Sequence, residues 1–286
     1  AAIENILQAA SGNHEGWECG IPQDETGIFF SIRLNEMQQE LVPPSDLPLF
    51  TRHTSRLPFS TKPLPGSFHG FLEDQKGLKT FEGKESLGRI SELVRKASMA
   101  RFRTKEIHEW FAGSLRFRKE EVERGDGLDV STFGLPPGGR ALVRFISDWN
   151  RMSALNRLGG YRLLASMEAA SITKAGAVIA ITGKPGMGEA VEAGRLMERV
   201  WIEANANGFG VQPYFIVSDQ IARLGEGSVP DELVEEVSSL EADARQVLGL
   251  DGDVLHMLLR VGISKGEPVR SVRLPLDAIF SVTRDS

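Results

Sequence analysis

The 286-residue chain is 41% hydrophobic and 25% charged, the composition of an ordinary globular protein long enough to bury a substantial core as one large domain or two small ones. No apolar run approaches the ~20 residues of a membrane helix, and a formal charge of −6 gives no global electrostatic reason to expect nucleic acid or a membrane as partner, leaving only local basic clusters open. A single cysteine, Cys19, excludes an intrachain disulfide framework and a multi-cysteine zinc site and agrees with a cytoplasmic, reducing setting.

In chain order, Ala2 to Ala10 reads as the tail of an amphipathic helix rather than a signal peptide, so the chain reads as a fragment of a longer protein or as a processed one. Trp17 to Ile21 and Gly27 to Leu34 read as strands of a hairpin, the second carrying Ile28, Phe29, Phe30, Ile32 and Leu34. From Val42 to Gly70 six prolines block continuous helix and predict an extended connector that wraps over a neighbour. Ser86 to Phe102 spaces Leu87, Ile90, Leu93, Val94 and Ala97 on one helical face, and Thr104 is placed to cap a short helix carrying Ile107, Trp110 and Phe111, both helices packing inward.

Gly125 to Gly139 is loop-rich, and helical patterns follow over Arg140 to Trp149 and Ser153 to Lys174, the second weakened at Gly159-Gly160. Ala175 to Thr182 is wholly apolar and predicts a buried strand. Glu189 to Asn207 predicts a long helix stopped at Gly208, with Tyr214 to Val217 a strand, Asp231 to Leu248 a helix and Val254 to Val261 a strand. The order is mixed, without βαβ alternation or internal repeats, and the fold class is α+β: one domain over 1–286, with 70–85 the place where an internal division would fall.

Gly183-Lys184-Pro185-Gly186-Met187-Gly188 lies between a strand and a helix as a phosphate loop would, but Glu189-Ala190 follows where a Walker loop needs Lys-Ser/Thr, and G-x-G-x-x-G cannot be laid over it. An ordinary strand-to-helix turn is the expectation. No G-x-S-x-G occurs, and the five histidines lack HExxH or H-x-H spacing, so neither a nucleophilic triad nor a metal site is expected. Arg52-His53-Thr54-Ser55-Arg56 differs: two guanidiniums four residues apart, with a hydroxyl between them on a proline-braced segment, can converge on a phosphate, although a solvated basic turn would read the same way.

Arg52 to Phe59 resembles the R-R-S/T-x-R-x-F/Y motif of the nitroreductase-like family, in which arginines and hydroxyl hold the FMN phosphate and ribityl chain. Ser11-Gly12-Asn13-His14-Glu15-Gly16-Trp17 is similar to the family's S-x-x-N-x-Q-P-W segment at the isoalloxazine edge, with Glu15-Gly16 in place of Gln-Pro. Asn207-Gly208-Phe209-Gly210-Val211-Gln212-Pro213 looks like its G-L-x-x-Q-P element, and Leu259 to Gly262 followed by Arg270-Ser271-Val272-Arg273-Leu274-Pro275 like its closing strand and basic tail. Here Asn13 precedes the arginine string, the reverse of the usual order, which resembles the family's atypical branch of duplicated or rearranged layout, some of whose members follow an adenylating, ubiquitin-activating-like domain.

The resemblance implies a nitroreductase-like fold with a mostly antiparallel central sheet, FMN as cofactor and a homodimer sharing the flavin site. The residues it assigns to FMN are Ser11, Asn13, Arg52, Thr54, Arg56, Gly208, Gly210, Gln212, Pro213, Arg270 and Arg273. It further implies electron transfer from NAD(P)H through flavin to an acceptor. An inert FMN-sequestering protein, lidded by the proline-rich segment or by Asp126 to Gly139, and a flavin-free interaction module remain as alternatives.

Overall fold

The computed structural model describes residues 1–10, 14–20, 29–34, 48–272 and 274. Along the chain come α1 (Ala2–Ala10), β1 (His14–Gly20), β2 (Phe29–Leu34), α2 (Pro48–Thr51), α3 (Gly66–Glu73), β3 (Leu78–Glu82), α4 (Gly83–Arg103) and α5 (Lys105–Ser114). They are followed by β4 (Leu115–Arg116), α6 (Lys119–Val122), β5 (Leu128–Asp129), a 3-10 turn at Val130–Phe133, α7 (Gly139–Ile146), α8 (Trp149–Arg157) and α9 (Gly160–Ala169). The last third comprises β6 (Ala177–Gly183), α10 (Met187–Ala206), β7 (Gly210–Tyr214), α11 (Ile216–Gly225), α12 (Val234–Leu248) and β8 (Val254–Gly262).

The architecture is α+β. Strands pair in the order β3-β6-β8-β7, every pair antiparallel, while β1 and β2 form a separate antiparallel pair with Trp17 opposite Ile32. Side-chain alternation on the strands sorts the core into two layers. Val178, Ala180, Tyr214 and Leu258 face α4, α11 and α12, where Ile90, Val94, Val217 and Leu240 are buried. Ile179, Ile181, Val211, Leu259 and Val261 face α3 and α10, packing on Phe68, Leu72, Leu196, Val200 and Trp201. The unbroken apolar run in β6 follows from this double cover, because neither face of a central strand between two helical layers meets water.

The structure departs from the sequence expectations in several places. The strand expected at Tyr214–Val217 ends at Tyr214, and α11 begins at Ile216; Val217 and Gln220 are buried against α4, so tertiary packing overrides the β-branched run. Pro213 lies within β7, an edge strand where a missing N–H is tolerated. Within the described part of the connector, Pro48–Thr51 is the short helix α2 and the chain is extended only from there to Pro65, which occupies the N-cap of α3; Phe68 and Leu72 of that helix enter the core. The helix expected over 153–174 is broken at Gly159, whose φ of +81° separates α8 from α9. In α5 the inward residue is His108, whereas Trp110 is exposed, and the Thr104 hydroxyl donates back to Ala100 O rather than capping.

Candidate functional site

Residues 52–60 run along the free edge of β7 and the end of β8. Thr54 bridges Val211 in parallel, the Ser55 amide donates to Val211 O at 2.9 Å, and Phe59 bridges Ser264. The hydroxyls of buried Ser55 and half-buried Ser264 meet at 2.8 Å. Gly210 makes this approach feasible: a Cβ there would fall 2.2 Å from Ser264 Oγ and 2.9 Å from both Phe59 and Ser55. Gly208, with φ +79°, ends α10 as expected.

One face of α10 anchors the start of the segment, because Glu198, Trp201 and Asn205 recur at helical spacing. Arg52 Nε lies 2.6 Å from Glu198 Oε1, with its guanidinium 4.4 Å from the centre of the Trp201 ring. The His53 amide donates to Asn205 Oδ1 at 2.7 Å, and the Trp201 indole donates to His53 O at 2.9 Å. Arg52 is therefore held and largely neutralised by a buried carboxylate.

Beside this anchor lies a cavity of about 250 Å³ lined by Phe50, Arg52, His53, Thr54 and residues 269–272. It unites three residues of the sequence expectation, Arg52, Thr54 and Arg270, with Ser271 as a further hydroxyl. Arg270 is exposed, and among the described residues it has no ion-pair partner.

Arg56 is not part of that lining. Its Nη1 donates to Thr132 Oγ1 at 3.2 Å and its guanidinium lies over the Phe133 ring, both residues coming from the loop after β5. Gln212 sits opposite Arg260 across β7 and β8, and its Oε1 is buried with no hydrogen-bond partner among the described residues. Pro213 pairs with Leu259. Ser11, Asn13 and Arg273 lie outside the described residues.

Arg260 itself was not singled out by sequence. It is 2% exposed, donates to Leu57 O at 2.6 Å, and has no carboxylate within ion-pair distance among the described residues. Burial pushes the guanidiniums of Arg56 and Arg260 below their ordinary value and the Tyr214 phenol above its own, an effect that Arg260 opposes. Arginine stays protonated even so, and the interior beside the motif therefore carries two cations without a neutralising carboxylate.

Among solved structures, the chain is similar to FMN-dependent nitroreductases. One from Mycobacterium smegmatis, in complex with NADPH, is 14% identical over 84% of this chain and 98% of its own, with a TM-score of 0.49. An FMN- and NADPH-dependent nitroreductase from a Sphigopyxis strain gives 14%, 85%, 100% and 0.48 in the same order, and a nitroreductase with bound FMN from Bacteroides fragilis gives 9%, 85%, 100% and 0.45. No family model and no curated protein matches the sequence. At such identity no residue role passes from these proteins to this chain.

Two signals could have found the missed residues. Arg260 interrupts the run Met257-Leu258-Leu259-Arg260-Val261, a charge where both faces of the strand are otherwise apolar. Glu198 stands on the helical face that also carries Trp201, so an acid there needs a buried cation.

Proposed function

We propose that the chain binds FMN and acts as a nitroreductase-like flavin oxidoreductase, with NAD(P)H as electron donor, a homodimeric site and a cytoplasmic setting, and that it belongs to the atypical branch. The observation that carries this reading is the meeting of Arg52, Thr54, Arg270 and Ser271 around one cavity, where residues more than 200 apart in sequence bring together the uncompensated cation of Arg270, the guanidinium of Arg52 already paired to Glu198, and two hydroxyls. Such a donor set suits a phosphate monoester, since guanidiniums give charge-assisted hydrogen bonds and hydroxyls complete the shell.

Size supports the division of labour. At about 250 Å³ the cavity is smaller than the ~300–1,000 Å³ typical of whole-ligand pockets, so it fits the phosphate end and the adjoining polyol, not the three-ring system. The ring then lies outside the cavity, where a second copy of the chain would complete its cover.

When bound, flavin supplies hydride acceptance and onward electron transfer. The chain's own work is positional and electrostatic. Arg52 is fixed by Glu198 and Trp201, so its orientation costs no side-chain entropy on binding. Arg56 and Arg260 supply positive potential beside the motif, which favours an electron-rich ligand.

Purified protein reconstituted with FMN and freed of excess cofactor provides the test. A retained flavin spectrum that bleaches on anaerobic NADPH addition supports the oxidoreductase; a retained spectrum that NADPH leaves unchanged supports a sequestering protein. Failure to retain FMN, with no rise in melting temperature on adding it, overturns the reading.

A further inference from the structure

We propose that helices α7 to α9 form a docking face for an anionic lipid surface, on which the protein sits peripherally. Helices α7 to α9, residues 139–169, contain five arginines, Arg140, Arg144, Arg151, Arg157 and Arg162, against the acids Asp148 and Glu168, a net of +3 on a chain whose total is −6. Among the described residues, none of the five guanidiniums lies within ion-pair distance of a carboxylate, whereas nearby Arg101, Arg103 and Arg223 are each paired, to Glu168, Glu236 and Glu106.

The same helices leave apolar side chains in water. α7 buries no residue, and Leu142 and Phe145, one turn apart, are exposed. α9 turns Ala165 and Ala169 inward; Leu163 and Met167, two positions earlier and so about 200° around the helix, point the other way and are 66% and 57% exposed. Leu158, at the turn between α8 and α9, is 87% exposed. α7 packs on α8, and α8 on α9, so the three helices are neighbours.

Exposed Leu, Phe and Met among arginines are the chemistry of a helix lying in a lipid interface, and three of the cations sit over rings, Arg144 on Phe117, Arg151 on Phe145 and Arg162 on Tyr161, without a carboxylate partner among the described residues. Charge decides between occupants. A symmetric dimer through this face would set the same arginines against themselves, because an isologous contact joins a patch to its own copy. An anionic bilayer offers the opposite sign without fixed spacing, which suits cations spread over three helices. No described helix is long and apolar enough to cross a membrane, so the association is a surface one.

Sedimentation of the full chain with phosphatidylcholine vesicles, and with vesicles of phosphatidylcholine and phosphatidylserine, tests the proposal. Binding is expected only with phosphatidylserine and should weaken as salt rises. The double variant Arg144→Gln/Arg157→Gln should lose about tenfold or more in partitioning, and Leu158→Ser, at a position too exposed to matter for folding, should weaken binding at constant charge. Equal sedimentation with both lipids, no sedimentation, or wild-type behaviour of both variants overturns it. Absent vesicle binding with salt-sensitive retention on immobilised polyglutamate also overturns it, in favour of an acidic protein surface.

Discussion

The guanidinium of Arg260 lies 3.9 Å from the centre of the Phe59 ring and donates at 2.6 Å to the carbonyl of Leu57, which ties β8 to the segment carrying the arginine motif. Opposing terms nearly balance there. Burying a lone charge costs several kcal/mol, and a charge-assisted hydrogen bond with a desolvated cation–π contact returns about 3–5 kcal/mol.

Arg260→Ala should therefore lower stability by about 3 kcal/mol, chiefly through the cavity it leaves, while Arg260→Met, which refills the volume, should recover most of that. Urea unfolding of both variants checks this. If Met is as damaging as Ala, the charge rather than the volume carries the effect.

Glu198 is buried with Arg52 as its ion-pair partner, and removing one member of a buried pair leaves the other uncompensated. Glu198→Ala should cost about 3–5 kcal/mol. The loss should be smaller in the double variant Glu198→Ala/Arg52→Ala, so a double-mutant cycle with no coupling between the two positions would sink this account.

His108 is buried beside Trp149, 5.3 Å between ring centres, and burial lowers its pKa below the ordinary 6.5, against the pull of nearby backbone carbonyls. Between the lowered value and 6.5 the unfolded chain binds more protons than the folded one, so this residue's contribution rises with pH through that window and is lost on acidification. His108→Gln should flatten the stability profile below neutrality. Parallel wild-type and variant curves from pH 7 to about pH 5 would remove His108 from the explanation.

Legibility followed the range of the interactions. β6 and α10 are readable because their patterns are local: an apolar run covered on both sides, and a helical face closed by Gly208. The extended course of 52–60 is readable from its prolines and flanking sequence, but not its docking on β7, because Ser55 and Val211 lie far apart in the chain. The β-branched start of α11 misleads for the same reason, since only contact with α4 decides its helix. Of the expected site, Arg52, Thr54 and Arg270 converge, yet nothing local to Arg52 announces Glu198, and nothing near Arg260 announces the Leu57 carbonyl.

Gly210 is the tightest point of the docked segment. Gly210→Ala should cost about 2–3 kcal/mol, the range of an overpacked core site, because its methyl meets Ser264 Oγ, Phe59 and Ser55 at once. Ser264→Ala removes the nearest clash but not the other two, so the double variant should recover part of the loss. Full recovery would show that Phe59 and Ser55 yield freely, and that the segment is less firmly seated than its hydrogen bonds imply.

Arg270 gives the sharpest test of ligand chemistry. It is exposed and without an ion-pair partner among the described residues, so Arg270→Ala should leave the fold intact, with stability within about 0.5 kcal/mol of the wild type. A guanidinium facing a phosphate adds about 1.5–3 kcal/mol, roughly ten- to a hundredfold in affinity. Affinity for FMN should fall by that factor, whereas affinity for riboflavin, which has the same ring and polyol without the phosphate, should hardly change. Equal losses for the two ligands would move Arg270 away from the phosphate, and no loss for either would move the ligand out of the cavity.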